Sequence, residues 1–307
     1  MTDIECFKIR LLQFEKKLDI FDLEKGKTIY DINCLKPYFT LNPVIINADP
    51  FLFVHNERLF LFYEEKGLTS SGVIKMTSTN DLRKWTPPIV VLKESYHLSF
   101  PWVFEYEGDI YMLPETSSNR SIRLYKATNN QLKHFEYVQT LLSEPMDKMV
   151  KMSYADSCIF KNNNIYYLFT MIQYEDGINT LELYLSDSLK GHYRKHPMSP
   201  IISNSKYARN AGAILYDEGN VFRFSQDCTK RYGDNIHISE IIELTPTVYK
   251  ERIIKENIIP INLKYYKQGG HQYNVVEFKG KWLVATDAKE YHKLLIPRLL
   301  NKLYHIL

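Results

Sequence analysis

The 307-residue chain carries 39 basic and 36 acidic residues, a net charge of +3. That surplus is too mild for a nucleic-acid-binding surface, and no block of like charges stands out. At 45% hydrophobic residues the chain can bury a substantial core. Its four cysteines, Cys6, Cys34, Cys158 and Cys228, show neither metal-ligand nor disulfide-framework spacing, which predicts reduced thiols and no metal site or cofactor. No stretch reaches the ~20 apolar residues of a membrane-spanning helix. The opening Met1-Thr-Asp-Ile-Glu-Cys lacks a basic segment followed by an apolar run, so the expectation is a cytoplasmic protein without a secretory signal.

Residues 1–40 hold the partly alternating Phe7-Lys-Ile-Arg-Leu-Leu-Gln-Phe14 and a polar turn at Glu24-Lys-Gly-Lys27, a candidate for an extra, ring-closing strand. From residue 41 to 288 one pattern then recurs five times: a buried strand, a turn, a second strand, and a polar residue at the same place. The first strands open at Asp49-Pro-Phe-Leu-Phe, Phe100-Pro-Trp-Val-Phe, Asp156-Ser-Cys-Ile-Phe, Ala211-Gly-Ala-Ile-Leu and Gln272-Tyr-Asn-Val-Val. The polar residues are Glu64, Glu115, Thr170, Gln226 and Asp287, separated by 51 to 61 residues. Turns at Asn56-Glu57, Glu107-Gly-Asp109, Asn162-Asn-Asn164, Asp217-Glu-Gly-Asn220 and Lys279-Gly280 are mostly rich in residues that tolerate positive φ. More polar outer strands follow, among them Ile122-Arg-Leu-Tyr-Lys-Ala and Leu181-Glu-Leu-Tyr-Leu-Ser, partly alternating with period two.

A period in this range with strands in every copy predicts an all-β, five-bladed β-propeller, the first strand of each blade lining the axis. Residues 289–307 read differently. Leu295, Leu299 and Leu303 share a four-residue spacing, Lys293, Arg298 and Lys302 add charge, and Pro297 suits a first helical turn. That segment predicts a short amphipathic C-terminal helix, lying on a membrane surface or packed on the propeller.

Polar residues that open axial strands converge, and a carboxyl entering an apolar strand is costly unless the place is polar. Asp49, Asp156 and Glu115 therefore form a candidate catalytic set, one acid from each of three blades. Loop capping is the competing reading for the two aspartates, and simple exit of the strand to solvent the competing one for Glu115, whose repeat equivalents are Glu64, Gln226 and Asp287. Three converging acids suit glycosidic chemistry, with one taking a proton, one supplying it and a third tuning its neighbour. Arg209 can clamp a phosphate or carboxylate, Gln226 and Asp227 suit sugar hydroxyls, and His97 and His271 stand near the axis as candidate ligand-binding residues. No GxGxxG, P-loop, GxSxG, HExxH or Asp-x-Asp motif occurs.

Asn47-Ala-Asp-Pro-Phe-Leu-Phe, His97-Leu-Ser-Phe-Pro, Leu113-Pro-Glu-Thr, Ala208-Arg-Asn-Ala-Gly and Ser225-Gln-Asp-Cys with Tyr232-Gly233 together resemble the N-terminal domain of plant glucosamine inositolphosphorylceramide transferases. The resemblance implies a propeller similar to arabinanase-, xylosidase- and levansucrase-type glycoside hydrolases. It makes Asp49 the counterpart of the first-blade base, adds Tyr232 and Asp287 to the binding set, and leaves Asp156 where the family's third-blade acid is usually a glutamate. The expected function is a glycosyltransferase of surface-polysaccharide (O-antigen or capsule) assembly, moving a sugar from an activated, phosphate-containing donor to a lipid-linked glycan acceptor at the inner face of the membrane. A glycoside hydrolase and a non-catalytic carbohydrate-binding propeller are the alternatives.

Overall fold

Left-handed backbone at the turns lets each apolar stretch double back on the next. The computed structural model describes residues 3–34, 42–143 and 150–293. In all five repeats the hairpin between first and second strand is a two-residue turn whose central residues both have positive φ: Asn56 and Glu57, Glu107 and Gly108, Asn163 and Asn164, Glu218 and Gly219, Lys279 and Gly280. This geometry matches the right-handed twist of the paired strands, and Asn or Gly in most of these turns makes it inexpensive.

The chain starts with β1 (Ile4–Phe14) and β2 (Lys27–Ile32). Four antiparallel units follow. The first is β3 (Val44–His55), β4 (Arg58–Gly67), β5 (Val73–Thr79) and β6 (Ile89–Leu92). The second is β7 (Ser99–Tyr106), β8 (Asp109–Glu115), β9 (Ser121–Ala127) and β10 (Phe135–Ser143). The third is β11 (Val150–Asn162), β12 (Ile165–Tyr174) and β13 (Asn179–Ser186), edged by the two-residue β14 (Arg194–Lys195) and β15 (Ile202–Ser203). In the fourth, the first strand is broken into β16 (Arg209–Asn210) and β17 (Leu215–Asp217), both paired to β18 (Asn220–Asp227), which leads to β19 (Asn235–Leu244) and β20 (Tyr249–Lys255). Gly212 sits in that break at φ 153°, and a Cβ there would lie 2.0 Å from the Tyr273 carbonyl oxygen, so only glycine lets the fourth unit approach the fifth.

The last unit draws on both ends of the chain. β21 (Tyr273–Phe278) pairs with β22 (Lys281–His292), which pairs along its whole length with β1, from Ile4 opposite His292 to Phe14 opposite Trp282, and β2 forms the outer strand. β1 also touches β3 through the parallel bridge of Phe7 and Ile46, which joins the fifth unit to the first. The result is a β-propeller. Because β22 needs a partner for β1 down to Ile4, residues 289–292 are strand where the sequence predicted helix; residues 294–307 lie outside the described residues. Among the described residues no helix is long and apolar enough to cross a membrane.

Apolar side chains fill the wedges between units, for example Phe62, Met76, Leu98, Met112 and Phe135 between the first and second. Leu168, Leu113, Ile122 and Tyr154 do the same between the second and third. Burying each such side chain contributes about 1.5–3 kcal/mol, which holds the units as rigid walls around the axis.

Candidate functional site

Three first strands kink close to the axis. Asp49 (φ 52°), Phe100 (φ 45°) and Asp156 (φ 48°) all take left-handed backbone, and the pairing register slips there, between Ala48 and Phe51, Ser99 and Trp102, and Ala155 and Cys158. Non-glycine residues in this region cost about 1–3 kcal/mol each and persist only where surroundings fix them. Here carboxyl groups of the preceding unit do so by accepting the kinked N–H. The Asp49 N–H donates to Asp287 Oδ2 at 3.3 Å, that of Phe100 to Asp49 Oδ2 at 3.0 Å, and that of Asp156 to Glu115 Oε2 at 3.1 Å.

The repeated polar position at the end of each second strand is thus no exit to solvent. Glu64, Glu115, Thr170, Gln226 and Asp287 are all buried, because the ends of these strands point into the shaft of the propeller. A cavity of about 350 Å³ opens there, lined by Asp49, Glu64, Lys66, His97, Glu115, Arg209, Tyr232 and His271.

His271 sits between two acids, its Nε2 2.9 Å from Asp49 Oδ1 and its Nδ1 3.0 Å from Asp287 Oδ2. Asp287 is fixed in turn by the N–H groups of His271 and Gln272, at 2.8 and 3.1 Å. Burial opposes charge on the ring, but Asp287 and Asp49 outweigh it and raise the His271 pKa well above the ordinary histidine value, so the ring is an imidazolium.

Arg209 reaches across from the fourth unit. Its Nε donates to Asp156 Oδ2 at 2.5 Å, its Nη2 lies 3.5 Å from Glu115 Oε2, and its guanidinium lies 4.8 Å from the centre of the Tyr232 ring. Gln226 Nε2 donates to the same Asp156 oxygen at 2.8 Å. Asp156 and Gln226 therefore stand behind Arg209 and aim it, and do not line the cavity. Asp287 holds the same place behind His271.

The acids that do line the cavity differ in charge preference. Burial, reinforced by Asp49, pushes the Glu64 carboxyl well above its usual range, whereas burial of Glu115 is outweighed by Arg209 and by hydrogen bonding with the side chains of Asp156 and Ser117, which hold it low. Burial lowers the His97 pKa. Its Nδ1 accepts from the Gly72 N–H at 3.0 Å, so in the neutral ring Nε2 carries the proton and faces Glu64 Oε1 at 3.4 Å. Gly72 makes room for this contact, since a Cβ there would sit 2.7 Å from the His97 ring. Two carboxyl groups pushed in opposite directions in one cavity are the arrangement acid–base chemistry requires.

Of the expected residues, the cavity brings together Asp49, Glu115, His97, Arg209, Tyr232 and His271. Asp227 belongs elsewhere: it faces a groove of about 530 Å³ beside the fourth unit, with its Oδ2 3.3 Å from His237 Nε2. Its other oxygen accepts from the Thr229 N–H and hydroxyl, which fold it back onto its own loop. The expected acid set omitted Glu64, although the repeat aligns it with Glu115, and it omitted Lys66, which carries no signal beyond lying two residues further along β4.

Comparison with known proteins adds the following. Residues 32–287 match the family described as glucosamine inositolphosphorylceramide transferase 1, N-terminal. A rice protein (Oryza sativa subsp. japonica) named glucosamine inositolphosphorylceramide transferase 1 is 31% identical over 274 residues, covering 83% of this chain and 35% of that protein. The Arabidopsis thaliana protein of that name is 34% identical over 237 residues, covering 75% of this chain and 29% of its own. The chain thus spans about a third of the length of the curated relatives it matches. Among solved structures, an α-L-arabinofuranosidase from Podospora anserina in complex with cellotriose superposes with a TM-score of 0.61 at 8% identity, covering 83% of this chain and 93% of that one. A family 117 glycoside hydrolase from Zobellia galactanivorans gives 0.55 at 11% identity, covering 79% and 84%. At these identities the likeness concerns the fold alone.

Proposed function

Because the chain belongs to the glucosamine inositolphosphorylceramide transferase 1 N-terminal family, we propose that its axial cavity transfers a sugar from a phosphate-activated donor to a hydroxyl of a lipid-linked glycan. The observation that carries this reading is that one cavity combines four carboxyl groups, those of Glu5, Asp49, Glu64 and Glu115, with the cations Arg209 and Lys66. An activated donor brings negative charge that a plain glycoside lacks, and a guanidinium held rigidly by Asp156 meets it with little loss of side-chain entropy.

In this reaction the acceptor oxygen bonds to the anomeric carbon as the bond from that carbon to the phosphate oxygen breaks. Asp49 takes the hydroxyl proton, and the electron pair leaves with the phosphate, whose charge Arg209 and Lys66 offset. Glu64, kept protonated, donates a hydrogen bond to the sugar or the departing oxygen. His271 keeps Asp49 in position. The reaction belongs to surface-polysaccharide assembly at the cytoplasmic face of a membrane, where activated sugars and lipid-linked acceptors meet.

A second reading is favoured by the opposite tuning of Glu64 and Glu115: hydrolysis of a small oligosaccharide, with Asp49 activating water and Glu64 protonating the leaving oxygen. Thermal-shift titration separates the two. A ligand at 100 times its Kd adds about 2.7 kcal/mol of stability. Stabilisation by nucleotide sugars or sugar phosphates that is lost in Lys66→Gln supports transfer; stabilisation by free oligosaccharides alone, with sugar released in the absence of a donor, overturns it.

A further inference from the structure

Strands β1 and β22 meet at the seam between the fifth and first units, behind the wall of the axial cavity that Glu5, Phe7 and Ile46 line. Cys6 on β1, Cys34 just after β2, and His292 at the end of β22 bring two sulfur atoms and a ring nitrogen within 4.8 Å of one another. A fourth donor reaches the same point. Glu290 Oε1 lies 3.1 Å from Cys34 Sγ and 2.7 Å from His292 Nε2. Both cysteines are buried and pack with Ile45 in a small cluster of their own beneath Ile4 and Ile46.

We propose that Cys6, Cys34, Glu290 and His292 form a structural zinc site that fastens the propeller ring. Two thiolates, an imidazole and a carboxylate oxygen are a donor set suited to tetrahedral Zn²⁺, whose bonds of about 2.0–2.3 Å require ligand atoms a little under 4 Å apart. The two sulfurs and the ring nitrogen lie within 4.8 Å of one another, and Glu290 Oε1, hydrogen-bonded to Cys34 and His292 in the metal-free site, would exchange those two contacts for the metal. On binding, both thiols release their protons to solvent, and the completed site carries one net negative charge. The Lys8 ammonium, 2.6 Å from Glu290 Oε2, offsets it and orients the carboxylate so that Oε1 faces the metal.

The location gives the metal a purpose. β1 and β3 are joined by a single bridge pair, and the ligands come from the first 34 and last 18 residues of the chain, so one ion closes nearly the whole sequence into a loop. Fixing so long a loop removes much of the freedom of the unfolded chain, and the binding free energy of such a metal is folding free energy. A disulfide between Cys6 and Cys34 accounts for the two sulfurs but gives no reason for His292 and Glu290 to converge on them.

The test begins with the chain purified anaerobically without thiol reductants, and its metal content measured by elemental mass spectrometry. One zinc per chain is expected. After chelation, cobalt(II) should restore a thiolate-to-cobalt charge-transfer band and the visible bands of a tetrahedral site. Cys34→Ser should abolish the charge-transfer intensity attributable to that sulfur. His292→Gln, a substitution at the half-exposed rim that the core does not depend on, should lose the tetrahedral bands while still folding, and Lys8→Gln should weaken cobalt binding about 10–100-fold with the spectrum kept. Chelator should lower the melting temperature of the parent chain and leave that of His292→Gln unchanged. The proposal is overturned by a metal-free chain that gives no cobalt spectrum, by an intact mass two hydrogens lighter that identifies a Cys6–Cys34 disulfide, or by variants that keep the parent's zinc.

Discussion

Arg223 and Arg209 are both buried arginines of the fourth unit, yet their surroundings are opposite. Arg223 has no exposed side-chain surface; its Nε and Nη2 bond both oxygens of Glu251 at 2.8 and 2.7 Å, and its Nη1 donates to the Tyr207 carbonyl at 3.0 Å. Tyr249 and Ser239 bond the same carboxylate, so the charges are paired and the polar atoms satisfied. Arg209 instead uses one nitrogen on Asp156, lies at a longer distance from Glu115, and turns toward a cavity that also holds Asp49 and Glu64. A closed pair leaves nothing for a ligand to do. An open one, with acids in excess and Glu64 Oε1 lacking an aligned partner among the described residues, is completed by what it binds.

Four substitutions break or sharpen this contrast. The largest effect belongs to Asp49→Asn, which keeps an acceptor for the Phe100 N–H but removes the base: sugar transfer should fall about 10²–10⁴-fold, with the fold kept at a lower melting temperature because the buried His271 imidazolium retains only Asp287 as counter-charge. Next, Arg223→Met leaves Glu251 buried and unpaired and should cost about 3–5 kcal/mol in denaturant unfolding, with no change in ligand specificity. Arg209→Met should cost less stability, because Gln226 still bonds Asp156, but should weaken donor binding by about 1.5–3 kcal/mol, read by calorimetry. A loss of stability as large as that of Arg223→Met, with donor binding unchanged, would make the two arginines alike and remove the distinction.

The smallest effect is a pH dependence. The Glu64 carboxyl is raised in the folded state, so the folded chain holds a proton that the unfolded chain has released. The stability linked to it is present below the ordinary glutamate range and is lost as pH rises through the folded value. Glu64→Gln removes that loss. The variant should be more stable than the parent by on the order of 1–2 kcal/mol at about pH 8, with no advantage at about pH 4. An equal difference at both pH values would mean that Glu64 is not protonated in the fold.

How far the site could be read in advance differs residue by residue. Asp49 was accessible because it opens an apolar strand, and His271 because it follows paired glycines at the corresponding place in the last repeat. Glu64 was named only as the repeat equivalent of Glu115, a position for which exit of the strand to solvent was the competing reading, and Asp227 was included beside Gln226 as suited to sugar hydroxyls. Alternation along β18 sends those two neighbours to opposite sides, one to the axis and the other to the outer groove. The Cys6, Cys34, Glu290 and His292 group showed no spacing signal at all, since its members lie at opposite ends of the sequence.

What the sequence alone determined is what neighbouring residues determine: period-two burial, turns built from Asn and Gly, and a repeat that no arrangement other than a ring of sheets satisfies easily. These depend on backbone sterics and on interactions within a few residues, and they survive without knowledge of the rest. Only the tertiary structure decided which polar residues of the repeat are buried together, which carboxyl caps the kinked N–H of the next unit, and that β1 fills the gap beside β22. Those are contacts between residues up to nearly 290 positions apart, as with Cys6 and His292, and their charge states follow from shared burial and from neighbours supplied by other units, which no local pattern records.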